Sequence, residues 1–356
     1  MGSEQTKKES VAELLERLDR GVVPDEEFIE LVKIQLDKRL QWGYKPTAEE
    51  QVAFHIGFID ALKKMEISGD MEKINSECYE VPISYHSLVF GAALKQSACY
   101  FKHDSMTIDE AEIAMHDLYC ERSQIKDGQK ILEIGCGQGG LLFHIAHKFK
   151  NCNVTGVTNS ISQKEFIEEK CRKLEVQNIE VILADITKYE TEDGFDRILI
   201  IGTVEHMKNV QLFLKKVSKW MKDDGFLFVD HVCHKLFAEQ FEALDSDDWY
   251  AESLFPKGSV IIHAASTLLY FQDDISVANH WVLNGKHMAY SHERWLKNLL
   301  NNRDAAREVL QLSLGSEEAA EKFINHCRMF HLAMKEQFSY NNGEEWMVSH
   351  LLFGRK

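Results

Sequence analysis

The chain has 356 residues, a formal net charge of −16, 44% hydrophobic and 28% charged residues, a globular composition long enough for one enlarged catalytic domain or a domain with a cap. The summed negative field disfavours DNA, RNA and anionic membrane as partners and attracts a cationic small molecule. No run approaches the roughly 18 apolar residues that a membrane span needs. Met1 to Ser10 is polar and leads into a charge-studded helix rather than an apolar leader, so the expected compartment is the cytoplasm. The eight cysteines (78, 99, 120, 136, 152, 171, 233 and 327) contain no C-x-x-C pair. Reduced, mostly buried thiols are expected, not a zinc cage or a disulfide framework.

Four prolines fall at expected boundaries: Pro24 before a helix, Pro46 after it, Pro82 after a short connection and Pro256 in a loop. PDEEFIELVKIQLDKRL puts Pro24 and three acids at a helix start, followed by Phe28, Leu31, Val32 and Leu36 at helical spacing. TAEEQVAFHIGFIDALKKM repeats the pattern, with Thr47 and Glu50 as a capping box ahead of Val52, Ile56 and Ile59. Residues 1–95 are expected to form a helical cap.

From Lys130 short apolar runs recur: ILEIG, NVTGVT, IEVILAD, DRILIIG and GFLFVDHV, with amphipathic stretches such as GGLLFHIAHKFK and SQKEFIEEKCRKL between them. That alternation predicts an α/β fold, a doubly wound, mainly parallel sheet covered on both faces, with ligands beyond the carboxyl ends of the strands. After Cys233 the sequence is irregular and aromatic-rich to about Leu269, followed by a strand over 275–283, helices from Ser291 to Gln337 and a final strand EWMVSHLLFG. No internal repeat or low-complexity tract is visible.

EIGCGQG places Gly135, Gly137 and Gly139 at alternate positions after a strand, where backbone can approach a ligand closely. A dinucleotide site would want an acid at the end of the next strand, but that strand ends in Thr158 and Asn159. The spacing, with Glu133 before the first glycine, resembles the S-adenosylmethionine-dependent methyltransferases. The resemblance implies a class I Rossmann-like core with a seven-stranded sheet, S-adenosylmethionine as cofactor (product S-adenosylhomocysteine), and Asp185 and Ile186 of the third run beside the adenine.

Two segments narrow the match. QSACYFKHDSMTIDEAE, Gln96 to Glu112, and VTGVTNSISQKEF resemble the cyclopropane-fatty-acid synthase branch. There the first segment closes over the cofactor, and Asn159 and Gln163 stand where the ribose is held; Ser97 and Ile201 join the cofactor-binding set. YEVPISYHSLVFG, IGTVEHMKN and EWMVSHLLFGRK resemble the plant benzylisoquinoline alkaloid N-methyltransferases, the coclaurine, tetrahydroprotoberberine and, most of all, pavine enzymes. Lipid-modifying members hold a bicarbonate with Cys, Glu, His and Tyr. Here the Cys position is Ala98 and the Tyr position Met288, while Glu205 and His231 remain and Cys99 is a neighbouring substitute. A methylase acting on lipid carbon is therefore the alternative, and a silent cofactor-binding fold the reading from a different class.

Methyl transfer to an amine requires a free nitrogen lone pair, so a protonated amine must lose its proton. His206 is the preferred group to orient and deprotonate the nitrogen, with Glu205 a second base or an electrostatic anchor and Glu80, in CYEVP, the third candidate. An apolar, aromatic pocket is expected, lined by Tyr79, Phe90, Trp249, Tyr250, Phe255 and Trp281. HVCHK offers too few ligands for a metal, and none is expected. Residues 96–235 are assigned to the cofactor core, 236–270 to a substrate-lining insertion after the fifth strand and 271–356 to late strands and helices. A homodimer through the N-terminal helices is plausible.

Overall fold

The computed structural model describes residues 9–69, 81–254 and 258–356. Glu80, Tyr79 and Phe255 of the expected site lie outside the described residues. Three helices lead: α1 (Val11–Asp19), α2 (Asp25–Gly43) and α3 (Ala48–Leu62). Ser10 with Glu13, and Thr47 with Glu50, form the capping boxes that start α1 and α3. Pro24 opens α2, with Asp25, Glu26 and Glu27 on its positive N-terminal end.

Phe28, Val32 and Leu36 of α2 are buried as their spacing predicts. In α3 the phase differs. Val52 and Ile56 are 50% and 40% exposed, and His55, Ile59 and Leu62 face inward. The polar member of that face is satisfied: His55 Nε2 lies 2.9 Å from Thr267 Oγ1. Apolar spacing alone missed this, because a buried histidine with a partner can replace an aliphatic residue.

Then follow α4 (Ile83–Val89), α5 (Ile108–Arg122), β1 (Lys130–Ile134), α6 (Gly140–Lys148), β2 (Asn153–Thr158), α7 (Ile161–Leu174), β3 (Ile179–Leu183), β4 (Phe195–Ile201), α8 (Val210–Ser218) and β5 (Met221–His234). The insertion contributes β6 (Glu239–Gln240), α9 (Trp249–Leu254) and β7 (Ile261–Ala264). The chain closes with β8 (Ile275–Leu283), α10 (Lys286–Asn301), α11 (Arg303–Leu314), α12 (Glu317–Gly343) and β9 (Trp346–Arg355). Thus the late helices begin five residues before Ser291 and continue past Gln337, with non-helical backbone at Tyr340, Asn341 and Asn342.

The main sheet runs β3-β2-β1-β4-β5-β9-β8. Its first five strands are parallel; β9 is antiparallel to both β5 and β8. This is the expected seven-stranded α/β architecture. β5 overruns the sheet, and its last residues, Cys233 and His234, pair with β7, which carries β6 on its other side. Strand order reverses between β1 and β4, which opens a crevice at their carboxyl ends. No helix among the described residues is long and apolar enough to cross a membrane.

The leading helices share a core with the insertion and α12: Leu14, Leu18, Phe28 and Val32 pack with Trp249, Tyr250 and Leu332. An ion-pair cluster crosses the same seam. Arg39 of α2 is fully buried, with Nη1 2.5 Å from Glu239 Oε2 and Nη2 2.7 Å from Asp248 Oδ2. Its guanidinium also stands 4.3 Å over the Phe241 ring. Arg39→Ala leaves two buried carboxylates without their cation, an uncompensated burial that typically costs about 3–5 kcal/mol. Urea unfolding should show a loss of that size, and a midpoint within error of the parent would mean the cluster does not hold the seam.

Candidate active site

β1 ends in Ile134, and the chain turns through Gly135, Cys136, Gly137 and Gln138 before Gly139 starts α6. Gly135 has φ +74°, and a Cβ there would lie 2.2 Å from Thr203 Oγ1. Only glycine satisfies both the left-handed backbone and that contact. Gly137 has φ +52° with nothing within 4 Å of an added Cβ, so its open side faces space that a ligand can fill.

That space is a cavity of about 180 Å³. Gly135, Gly137, Ser97, Asn159, Gln163, Ile201 and His206 line it, as do Lys95, Glu133, Gln138, Thr158, Gly202 and Thr203. Thr158 donates to Gln163 Oε1 at 2.6 Å, which leaves the Gln163 amide nitrogen as the donor toward a ligand. Glu133 is buried, with Oε2 lacking a hydrogen-bond partner among the described residues. Burial pushes its carboxyl up to about 8, against the opposing pull of Lys95. An orphaned carboxylate oxygen beside a cation and an open glycine loop fits the amino-acid end of S-adenosylmethionine.

Three expected cofactor residues are not on the lining of this cavity. Gly139 is the N-terminal cap of α6 at φ +75°, where a Cβ would meet Ile167 at 2.9 Å. Asp185 turns back on its own chain. Its Oδ1 accepts from Thr187 N at 2.9 Å and from Thr187 Oγ1 at 2.7 Å. Burial raises its carboxyl, but these bonds and Lys188 outweigh it and hold the group below its usual value. Ile186 belongs to the hydrophobic core. None of the three lines either cavity.

A second cavity of about 530 Å³ lies beyond the first, and Gln96, Ser97, Gly202 and His206 line both. Phe90, Glu205 and Asp230 also line it, with Phe241, Leu254 and Ile262 from the insertion. Its far wall comes from α10 and α12, which contribute His292, Trp295, His326, Cys327, Phe330 and His331. Burial depresses all three of these imidazoles, so this wall is polar but not charged. Glu133 aside, the sequence reading missed Lys95, Asp230 and this far wall. The wall was signalled by Phe323, Cys327, Phe330, Met334 and Gln337, which recur at helical spacing.

Trp249, Tyr250 and Trp281 do not line the cavity. Trp249 packs against Phe28 at 5.6 Å between ring centroids. Tyr250 is fully buried and donates to Gln337 Oε1 at 2.6 Å, so it supports the wall from behind. Trp281 lies on β8 under the Arg122 guanidinium, 4.9 Å from its ring. Large aromatic side chains fill cores more often than they meet ligands; Trp249 and Tyr250 do so here, and Trp281 is partly buried against the core.

Glu205 and His206 form a short 3-10 turn after β4. Glu205 Oε1 accepts from Val232 N at 2.9 Å, and Oε2 has no partner among the described residues. Burial pushes its carboxyl up to about 8, with backbone hydrogen bonds opposing and Asp230 adding to the rise. His206 Nδ1 lies 2.8 Å from the Ser259 carbonyl. A carbonyl only accepts, so Nδ1 carries the proton and Nε2 is the basic nitrogen. Burial depresses this imidazole despite the Ser259 bond, and it is neutral at physiological pH.

Ala98 and Met288 line the large cavity beside Glu205, so neither a thiol nor a phenol stands at those positions. Cys99 does not replace them. It is fully buried off the cavity with Sγ 3.8 Å from the Ser97 carbonyl, and burial pushes its thiol up to about 12. His231 is buried edge-on to His263, 5.7 Å between centroids, and does not line the cavity. Among the described residues no group of three or more His, Cys, Asp or Glu is arranged to hold a metal ion.

A family model described as mycolic acid cyclopropane synthetase matches residues 67–338. The chain is 55% identical over 347 residues to (S)-tetrahydroprotoberberine N-methyltransferase of Eschscholzia californica, covering 98% of this chain and 99% of that protein. It is 51% identical to pavine N-methyltransferase of Thalictrum flavum subsp. glaucum over the full length of both. A crystal structure of coclaurine N-methyltransferase bound to N-methylheliamine and S-adenosylhomocysteine superimposes with a TM-score of 0.96 at 52% identity, covering 97% of this chain and 99% of that one. These identities lie too close together to single out one alkaloid.

Folding raises the Glu205 carboxyl from 4.5 to about 8. The folded state then holds this proton more tightly than the unfolded state. Its stabilising contribution is complete below about pH 4.5 and is lost as pH climbs through about 8. Glu205→Gln removes that dependence, so between about pH 6 and 9 the variant's denaturation midpoint should fall less steeply than the parent's. Parallel curves would show that the carboxyl is not desolvated in solution.

Proposed function

The chain belongs to the mycolic acid cyclopropane synthetase family and, within it, to the plant alkaloid N-methyltransferases, and on that premise we propose that it methylates the ring nitrogen of a benzylisoquinoline alkaloid such as pavine or tetrahydropapaverine. The carrying observation is the shared wall: His206, Ser97 and Gly202 belong both to the glycine-loop cavity and to the large cavity. A donor in the first and an amine in the second would meet there.

Glu133, the glycine loop, Asn159 and Gln163 would hold S-adenosylmethionine, which would supply a sulfonium methyl to the nitrogen lone pair, the carbon–sulfur electron pair returning to sulfur. The protein's task is to deliver that lone pair. Secondary and tertiary ring amines are largely protonated near neutral pH, so the nitrogen must first lose a proton. Glu205, with its carboxyl near 8, is the better-matched acceptor. His206 is neutral and presents Nε2 as an acceptor that orients the amine from the side of the cofactor. Glu80 remains a candidate to hold the incoming ammonium.

Ala98 and Met288 disfavour lipid carbon as the substrate, because the thiol and phenol of the lipid-modifying members have no counterpart here. The large cavity suits a fused-ring amine instead, with aromatic Phe90 and Trp295 on its walls and uncharged imidazoles at its far end.

Methyl transfer from labelled S-adenosylmethionine to pavine, tetrahydropapaverine, coclaurine, a tetrahydroprotoberberine and an unsaturated phospholipid tests this reading. Label should appear on an alkaloid nitrogen; label on lipid carbon would reverse it. Positioning in a dry pocket contributes several kcal/mol on its own, so His206→Ala should slow turnover by only about tenfold to a hundredfold. Complete loss, with fold and cofactor affinity unchanged, would make His206 the indispensable base.

A further inference from the structure

Asp230 lies on β5, in register with Ile201 of β4 and His350 of β9, and its carbonyl accepts from Gly202 N at 3.1 Å. Its side chain lines the large cavity beside the wall shared with the cofactor site. The group is almost fully buried, yet one oxygen is doubly anchored. Oδ2 accepts from Tyr119 OH at 3.0 Å and from His350 Nε2 at 2.8 Å. Oδ1 takes no hydrogen bond from any described residue.

The anchors have their own supports. Arg122 Nη1 lies 2.7 Å from His350 Nδ1. A guanidinium only donates, so Nδ1 is the acceptor and Nε2 carries the single proton. His350 is therefore a neutral donor that fixes Asp230 without cancelling its charge. Behind Tyr119, Lys95 Nζ lies 3.0 Å from the phenol oxygen and hydrogen-bonds Ser97, so its positive charge sits on the cofactor side.

We propose that Asp230 is the standing anion of the substrate cavity, a positioning residue that captures the cationic form of the amine and holds it beside Glu205 and His206. This rests on the N-methyltransferase reading. Among the described residues lining the cavity, Glu205 and Asp230 are the only carboxyl groups. Their surroundings separate them. Burial raises both, but the hydrogen bonds from His350 and Tyr119 and the charge of Lys95 carry Asp230 below its usual value, while Glu205 has no such donors and rises. The other titratable or charged groups that act with Asp230 are Cys99, Arg122, His231 and Cys233. Burial pushes both thiols up, so neither supplies a competing anion, and holds His231 down at about 4, so it supplies no cation.

The test reads binding of a charge rather than turnover. Dimethyltetrahydroisoquinolinium and its uncharged carbon isostere gem-dimethyltetralin are titrated calorimetrically into the full-length protein at about pH 6, where Glu205, at about 8, keeps its proton. The parent should prefer the cation by about tenfold or more, and Asp230→Asn should abolish that preference while leaving the isostere's affinity unchanged. A preference that emerges only as pH passes about 8 would assign the anchor to Glu205. A preference retained in Asp230→Asn would move it to another acid such as Glu80. Either overturns the proposal, as does no preference in the parent. Should Asp230→Asn fail to fold, Glu80→Gln takes its place beside the parent's pH profile: a preference kept at about pH 6 in that variant is expected, and its loss overturns the proposal. Labelled methyl transfer by the parent keeps the two readings apart, since no label on any amine defeats the enzymatic reading whatever the titrations give.

Discussion

The site depends on the near-complete desolvation of Glu205. A carboxyl group with one backbone hydrogen bond and one orphaned oxygen, sealed from water, cannot hold a full charge at its ordinary pKa. That one condition gives the carboxyl a proton affinity that the proposed function requires of an acceptor for an amine's proton. It also requires walls, because the carboxyl end of a parallel sheet is otherwise open. The insertion, α4, α10 and α12 supply them, and Arg39 ties α2 to the insertion from behind. Residues far from any chemistry therefore set the protonation of the one at its centre.

Three buried acids stand along the carboxyl edge of the sheet, Glu133 near the end of β1, Glu205 beyond β4 and Asp230 within β5 opposite Ile201, and the fold treats each differently. Glu133 has an orphaned oxygen and Lys95 within its field, an arrangement completed by a ligand's ammonium. Glu205 has a single backbone donor and rises to about 8. Asp230 has two side-chain donors and remains ionised. Burial is common to all three, so hydrogen bonding decides the outcome. On the proposed function this amounts to a division of labour within one crevice: an acid for the cofactor, an acid for the proton and an acid for the charge.

The glycine loop was legible because the turn after β1 takes positive φ at Gly135 and Gly137, a local demand that glycine meets without strain; the close approach of Thr203 to Gly135 was not. The mainly parallel sheet followed from apolar runs alternating with amphipathic stretches. What local pattern cannot encode is which face of an element meets a cavity. Trp249 and Tyr250 stood out as aromatics but fill the core, whereas the quieter stripe through Phe323, Cys327 and Met334 on α12 lines the pocket. His55 displaced Val52 and Ile56 from the inner face of α3 because Thr267, distant in sequence, satisfies it. Asp230 was in view throughout as the lone acid within GFLFVDHV. An unpaired charge in an apolar strand requires partners, and its donors come from α5 and β9, which no local reading brings together.

The same crevice also bears on how this chain differs from the lipid-modifying branch of its family. With alanine and methionine in place of a thiol and a phenol, the space beside Glu205 loses the polar groups that resemblance assigns to a bound bicarbonate. The carboxyl is left facing an apolar cavity. An amine brings its own proton and lone pair, so one acceptor of raised pKa is sufficient once the nitrogen is aligned. The second polar requirement is then electrostatic, a fixed anion for a substrate that arrives positively charged. A carbon nucleophile arrives neutral, so such an anion would contribute nothing to its capture. On this view the presence of an ionised Asp230 beside Glu205, as much as the absence of the thiol and phenol, makes the cavity one for amines.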